Sequence, residues 1–302
     1  CAVGNTEIPL VAALDDQTIE RFVLEASSFR LAHTQKFSAH PAAWLNFAPD
    51  HLDLHQDLAA YQSAKARIWE GLKEPSQAIA NLADPVVAIH TPKGATSFGT
   101  SESTCRVENG WLVFEDQQVV AVNQLPRRFP HDLANAQAAL ALAMRFGASV
   151  SGCEEALRTF TGLPHRMQVV GEINRVTFIN DSKATTPHAV MSAAETFSDL
   201  TLLVGGRNKG VNLSPLGALT PSQVVAFGEA AKQMAAVFEK VCPVAVVSSL
   251  EEAVTQAIAV TKTPGTILLS PGGTSFDQYD SYSQRGEEFI RLVQRYKEAM
   301  PA

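Results

Sequence analysis

Val176-Thr-Phe-Ile179-Asn180-Asp181-Ser-Lys183-Ala-Thr185-Thr-Pro187-His-Ala-Val-Met-Ser-Ala-Ala-Glu-Thr196 decides the fold class. Its first four residues are apolar or β-branched and read as a buried strand. A polar turn follows, and then a helical run opens near Pro187. Strands and helices go on alternating after it. Thr201–Val204, Val224–Phe227, Val244–Val247 and Thr266–Leu269 read as strands, with helices near Glu229–Val237, Leu250–Val260 and Gln284–Glu298. Strands alternating with helices predict mostly parallel sheets with right-handed crossovers, an α/β fold.

Upstream, the pattern is similar but looser. Arg21–Glu25, Ala43–Phe47 and Gln77–Ala80 read as strands and Leu58–Leu72 as a helix. A β-rich patch is expected over Val86–Val122, followed by helices at Asp132–Phe146 and Ser151–Phe160. Thr161-Gly-Leu-Pro-His-Arg166 interrupts the pattern with Gly and Pro, so the boundary is placed at Phe160–Leu163. Two domains are expected, 1–161 and 162–302, as a chain of 302 residues suggests on length alone.

Composition narrows the functional classes. The net charge of −7 leaves no basic footprint for nucleic acid or an anionic membrane. Apolar stretches such as Ala138–Met144 and Val244–Val247 are too short to span a bilayer. Cys1, Cys105, Cys153 and Cys242 are far apart, which argues against a disulfide framework or a structural zinc site and suits a reducing, cytoplasmic compartment. The first residues hold neither Met nor a signal-peptide pattern, and Cys1-Ala-Val-Gly-Asn reads as the end of a buried strand entering a loop. The chain is expected to be part of a longer one.

In open α/β sheets ligands sit at the carboxyl ends of strands, so the residues just past each strand carry the chemistry. Glu25-Ala-Ser27-Ser28-Phe29 follows one strand and Asn46-Phe-Ala-Pro-Asp50-His51-Leu-Asp53 the next, with Lys65 on the helix beyond. A carboxylate, a hydroxyl, a His–Asp cluster and a lysine suit a magnesium and phosphate site. Singly, Glu25 also reads as a polar strand end, His51 as a capping residue and Lys65 as a solvated cation. In the second half, Asn180-Asp181-Ser caps a helix or begins a ligand loop, with Lys183 and Thr185 expected to open that helix. Val204-Gly205-Gly206-Arg-Asn-Lys209-Gly210 and Ser270-Pro-Gly-Gly-Thr-Ser275-Phe276 each follow a strand. Glycines there let backbone approach a ligand, or simply make a turn.

Taken together, Glu25-Ala-Ser-Ser-Phe, Asn46…Asp50-His51-Leu-Asp53, Lys65-Ala-Arg-Ile, Gly162-Leu-Pro-His-Arg166-Met and Asn180-Asp-Ser-Lys-Ala-Thr185 resemble the motifs of the Mur ligases, and the last two resemble the D-glutamate-adding branch. The resemblance implies a partial central ATPase domain over 1–161, followed by a Rossmann-like domain that binds D-glutamate over 162–302. It implies ATP and Mg2+ as cofactors, with Glu25 and His51 on the metal and Lys65 carbamylated to an anion that supports it. Ser27 would lie near the metal and phosphates, and Asn5 would contact the pyrophosphate of UDP-N-acetylmuramoyl-L-alanine. His131-Asp-Leu-Ala-Asn135 resembles a Gly-x-His-Asn-x-x-Asn motif that meets adenine, but Pro130 and Asp132 depart from it, so only Asn135 is carried over. As a polar residue in the first turn of a helix, Asn135 also has an ordinary structural role.

Arg166, just past the boundary, would swing onto the ATP phosphates and Asp181 would hold the ribose. Lys183, Thr185, Lys209, Ser275, Phe276 and Tyr282 would face D-glutamate and the transferred phosphate. Gln284-Arg-Gly-Glu-Glu-Phe289 resembles the closing helix of the family, with packing as its expected role. The implied reaction phosphorylates a carboxylate to an acyl phosphate, which the amine then attacks. Positioning and charge neutralisation dominate such chemistry. Lys65, His51, Arg166 and Lys183 are its catalytic candidates, and no residue stands out as the base for the amine.

No Gly-x-x-Gly-Lys-Ser/Thr loop occurs in these residues. In the family that loop precedes the Gly4-Asn5 segment, so the ATP half of the site is expected to be incomplete and this chain inactive by itself. A sister ligase, a folylpolyglutamate synthase or a non-catalytic binding module are the alternatives. A monomer and no membrane insertion are expected. The absence of Gly-x-Gly-x-x-Gly after a strand argues against a dinucleotide-binding protein.

Overall fold

The computed structural model describes residues 1–5, 8–36, 38–49 and 54–300. The chain divides into two compact units, Cys1–Thr161 and Gly162–Ala302.

The first unit contains β1 (Ala2–Gly4), α1 (Leu10–Ala13), β2 (Val23–Glu25), α2 (Ser28–His33), β3 (Ala42–Trp44), α3 (Leu58–Ala66), β4 (Ala78–Asn81), α4 (Pro85–His90), β5 (Thr96–Phe98), β6 (Cys105–Glu108), β7 (Trp111–Phe114), β8 (Gln117–Ala121), α5 (Pro130–Arg145) and α6 (Val150–Thr159). β1 and β2 pair in parallel, Gly4 opposite Glu25. β3 through β8 form a sheet in chain order, parallel from β3 to β6 and antiparallel from β6 to β8. Ile79, Phe98, Leu112, Val120, Leu140 and Ala141, all nearly or fully buried, form its core with α5.

The expected β-rich patch is corrected at its start. Val86-Val87-Ala-Ile89 has β-branched strand character, yet Pro85–His90 is helix. Asp84 decides this: its Oδ1 accepts from the backbone N–H of Val86 and Val87, and Pro85 presets the first helical turn. The predicted helix over Leu58–Leu72 is α3 plus a short 3-10 turn at Arg67–Trp69. Asp57 caps it by accepting from Ala60 N–H at 2.7 Å.

The second unit contains β9 (Gln168–Ile173), β10 (Val176–Asn180), α7 (Pro187–Ala194), β11 (Leu200–Gly205), β12 (Gln223–Phe227), α8 (Ala231–Phe238), β13 (Val244–Val246), α9 (Leu250–Val260), β14 (Gly265–Gly272) and α10 (Tyr282–Glu298). Its strand order is β13-β12-β11-β14-β10-β9. All but β9 run parallel. β9 pairs antiparallel with β10 on the edge and is not among the strands expected from the sequence. β11 is buried at all six positions, which is why it reads as a run that is apolar but for Thr201 rather than an alternating one. Ser249 and Ser281 cap α9 and α10 by accepting from Glu252 and Gln284 N–H.

This order places β10, β14 and β11 side by side, so the loops after their carboxyl ends are neighbours. That adjacency builds the site.

Candidate functional site

In the second unit β10 ends at Asn180 and its loop begins with Asp181 and Ser182, and all three are buried. Asn180 Oδ1 accepts from Ser182 N–H at 3.1 Å, which leaves its Nδ2 as the donor to Gly286 O (3.1 Å) and to His165 Nδ1 (3.0 Å). His165 is therefore neutral, with its proton on Nε2. Burial holds its pKa below the ordinary value, against an opposing pull from Glu287. His165 O accepts from Lys183 N–H at 3.1 Å, so the Gly-Leu-Pro-His-Arg segment is sewn to the β10 loop. Asp181 accepts from Met167 N–H at 3.2 Å and Ser270 Oγ–H at 3.1 Å.

Lys183 and Thr185 do not open α7. Thr186 is the N-cap and Pro187 the first helical residue, so both lie in the loop before it. Ser270–Gly272 likewise belongs to β14 rather than to the loop after it. Lys183 Nζ lies 5.1 Å from the ring centre of Tyr282, and Lys209 Nζ 5.6 Å from that of Phe276. Each ammonium is steadied by an aromatic face yet keeps its donors for an anion. The β11 and β14 loops are bound by a bridge in which Arg207 N–H donates to Thr274 O (2.8 Å) and Thr274 N–H to Arg207 O (2.9 Å). Ser275 is buried beside this bridge and Phe276 is exposed. Arg166 is exposed at the start of the unit. Asp181, Lys183, Thr185, Lys209, Ser275, Phe276 and Tyr282 thus belong to loops and a helix start at one end of one sheet.

In the first unit, Asn5 Nδ2 donates to Glu25 Oε1 at 3.1 Å, bringing the ends of β1 and β2 together. Ser27 is the N-cap of α2, and its buried Oγ has no hydrogen-bond partner among the described residues. Ser28, also buried, shares a hydrogen bond with His55 Nε2 at 2.9 Å. His55 packs on Tyr61, and Lys65 Nζ lies 5.3 Å from the Tyr61 ring centre. These contacts link the head of α2 to α3. A carboxylate and an orphaned hydroxyl suit a hydrated magnesium ion with oxygen ligands, and Lys65 suits it only with its positive charge removed. His51, with Asp50 and Asp53, lies outside the described residues.

Asn135 lies exposed in the second turn of α5, because the helix begins at Pro130 rather than Asp132. The residues that replace the family motif there form a cluster the sequence did not foretell. Arg127 Nε and Nη2 donate to Asp132 Oδ1 at 2.9 and 2.8 Å, while Asp132 Oδ2 is buried without a partner among the described residues. His131 stacks on Phe129, and burial lowers its pKa despite the Asp132 carboxylate. The swap of Asn for Asp at 132 was the available signal, since a part-buried carboxylate calls for a cation.

Residues 5–143 match the Mur ligase middle domain and residues 165–273 the Mur ligase, glutamate ligase domain. With the two α/β units and their strand-end loops, these matches define the class as α/β amide-forming ligases. The chain belongs to the Mur ligase family, whose members are ATP-dependent ligases. It is 35% identical to a UDP-N-acetylmuramoylalanine–D-glutamate ligase of Geobacter metallireducens, over 96% of this chain and 67% of that protein. A relative of the same name from Exiguobacterium sibiricum is also 35% identical, over 97% and 67%. The chain thus spans about two thirds of the length of these relatives. Among solved structures, a MurF ligase of Thermotoga maritima in complex with ADP superposes with a TM-score of 0.70, covering 97% of this chain and 72% of that one at 18% identity. A UDP-N-acetylmuramate–alanine ligase from Thermotoga maritima gives 0.63, covering 92% and 64% at 19% identity. At such identities these two show the fold alone. No helix among the described residues is long and apolar enough to cross a membrane.

Proposed function

We propose that this chain supplies the D-glutamate site and part of the ATP site of a ligase that joins D-glutamate to UDP-N-acetylmuramoyl-L-alanine through an acyl phosphate. The observation that carries this reading is the gathering of two lysines, Lys183 and Lys209, with buried Ser275 on three neighbouring strand-end loops. A dicarboxylate needs two separated cationic or hydroxyl anchors, and these loops supply them on rigid strands. Lys209, Ser275, Phe276 and Tyr282 hold the side-chain end of D-glutamate. Lys183 and Thr185 face its reacting end and the transferred phosphate.

Asp181, whose two oxygens already accept from Ser270 and Met167, is held still for the ribose hydroxyls, with Asn135 near adenine and Arg166 on the phosphates. Glu25, His51 and carbamylated Lys65 hold magnesium, which neutralises phosphate charge when bound. Ser27 and Asn5 face the nucleotide-sugar substrate. The first unit is then the ATP-binding part and the second the D-glutamate-binding part. The protein is a cytoplasmic monomer that meets these three small molecules, with no nucleic acid and no membrane insertion.

Titration of the 302-residue chain with D-glutamate, L-alanine and a diamino acid, followed by NMR, tests the reading. D-glutamate alone is expected to saturate, and Lys209→Ala to abolish saturation. Equal binding of all three sinks the specificity. For Lys65, isotope-labelled bicarbonate should give a carbamate signal that Lys65→Arg removes.

A further inference from the structure

Among the described residues, Arg285 heads the largest fully buried side chains, at 0% exposure, on a helix whose sequence suggests only packing. A buried guanidinium ordinarily has a carboxylate partner. Here its acceptors among the described residues are a hydroxyl and two main-chain carbonyls. Nε donates to Ser182 Oγ at 3.0 Å, Nη2 to Ser182 O at 2.8 Å and Nη1 to Gly273 O at 3.1 Å. Ser182 Oγ–H in turn donates to Tyr282 O at 2.8 Å, at the first turn of the same helix. The third loop also closes on this group, since a Cβ built on Gly206 would lie 2.9 Å from Arg285 Nη1. The next residue continues the network: Gly286 O accepts from Asn180 Nδ2, and a Cβ on Gly286 would strike the His165 ring at 2.2 Å.

One side chain therefore touches the β10 loop, the β14 loop and the β11 loop, and its helix start carries Tyr282. We propose that Arg285 is a positioning residue, which sets the mutual spacing of the Lys183, Lys209 and Ser275 loops and so the spacing of the anion anchors for D-glutamate. The planar fork is what the task requires. Three acceptors in different directions are met by one rigid group, whereas lysine presents a single point charge. Burial lowers the guanidinium pKa to about 10, so the group remains charged at neutral pH. The Asp277 carboxylate, which is not hydrogen-bonded to the guanidinium, favours that charged form.

This inference rests on the D-glutamate reading for its ligand arm but not for its geometry. The test compares the 302-residue chain with its Arg285→Lys and Ser182→Ala variants by amide hydrogen exchange and by D-glutamate titration. Arg285→Lys keeps the charge and loses the fork. It is expected to speed exchange at least tenfold in residues 180–186, 205–210 and 271–276 while β12 stays protected, and to weaken D-glutamate binding at least tenfold. Ser182→Ala removes one acceptor and should loosen the same three loops about threefold, which keeps the idea testable where the arginine variant fails to fold. Unchanged loops, binding within twofold, or exchange that rises equally in β12 overturns the proposal. If the unsubstituted chain does not saturate with D-glutamate, the ligand reading falls, and the exchange result alone decides whether Arg285 spaces the loops.

Discussion

Gly206→Ala would test the joint between the β11 and β14 loops most directly. Gly206 has φ of +91°, a backbone conformation that costs a residue with a side chain about 1 kcal/mol or more. A Cβ there would lie 2.2 Å from Thr274 O and 2.9 Å from Arg285 Nη1. Thr274 O is main chain and accepts from Arg207 N–H, so it can retreat only by opening the bridge between Arg207 and Thr274. Two hydrogen bonds at about 1 kcal/mol net each are then lost. The total is about 3 kcal/mol, of which strain supplies one part and the bridge two. For a unit of about 140 residues the unfolding entropy is about 0.3 kcal/mol per kelvin, so the melting temperature of the second unit should fall by about 10 °C. Calorimetry reads this, with Gly171→Ala as control. Gly171 lies on edge strand β9, where an added Cβ would meet no heavy atom within 4 Å, and its substitution should shift stability by less than about 0.5 kcal/mol. A Gly206→Ala melting temperature within 2 °C of the unsubstituted chain, roughly a fifth of the expected shift, would refute the claim that these loops meet without room for a methyl group.

Three further outcomes follow from the same structure. Leu202→Ala, at 0% exposure in β11, should cost about 3 kcal/mol and lower the melting temperature of the second unit in a thermal scan. The neutral, pKa-lowered His165 contributes stability that is present above the ordinary value of 6.5 and is lost as pH falls below it, because the unfolded chain then binds the extra proton. His165→Gln should flatten that acid limb, and parallel limbs would disprove it. Burial pushes the Cys105 thiol up to about 12 from 9.0, so its contribution is intact below pH 9.0 and fades between there and about 12. At neutral pH a maleimide should label exposed Cys1 in the native chain and leave Cys105 unlabelled until denaturant is added, as mass spectrometry of the peptides will report.

Particular elements show what local sequence can and cannot specify. β11 was legible because six buried residues in a row leave no polar face to confuse its period. β9 was not, since Gln168, Gly171 and Glu172 break the apolar pattern of a strand with one neighbour only. Val86–Ile89 has strand-forming residues but folds as helix because Asp84 and Pro85 decide its first turn. The Arg127–Asp132 pair was half legible: Asp at 132 in place of the family's Asn calls for a cation, but nothing in the spacing names Arg127 as its partner.

Sequence by itself determined the α/β class, the sites of the strand-end loops and the family, because those rest on local periodicity and on motifs contiguous along the chain. Only the tertiary structure decided that β14 lies between β10 and β11, since strand order depends on crossovers that no local pattern records. That placement brings Ser182, Gly206 and Gly273, about 90 residues apart at the extremes, within reach of one buried arginine. In the sequence Arg285 is a polar residue near the start of a long helix. Its part in spacing the anion anchors exists only once three loops have converged on it.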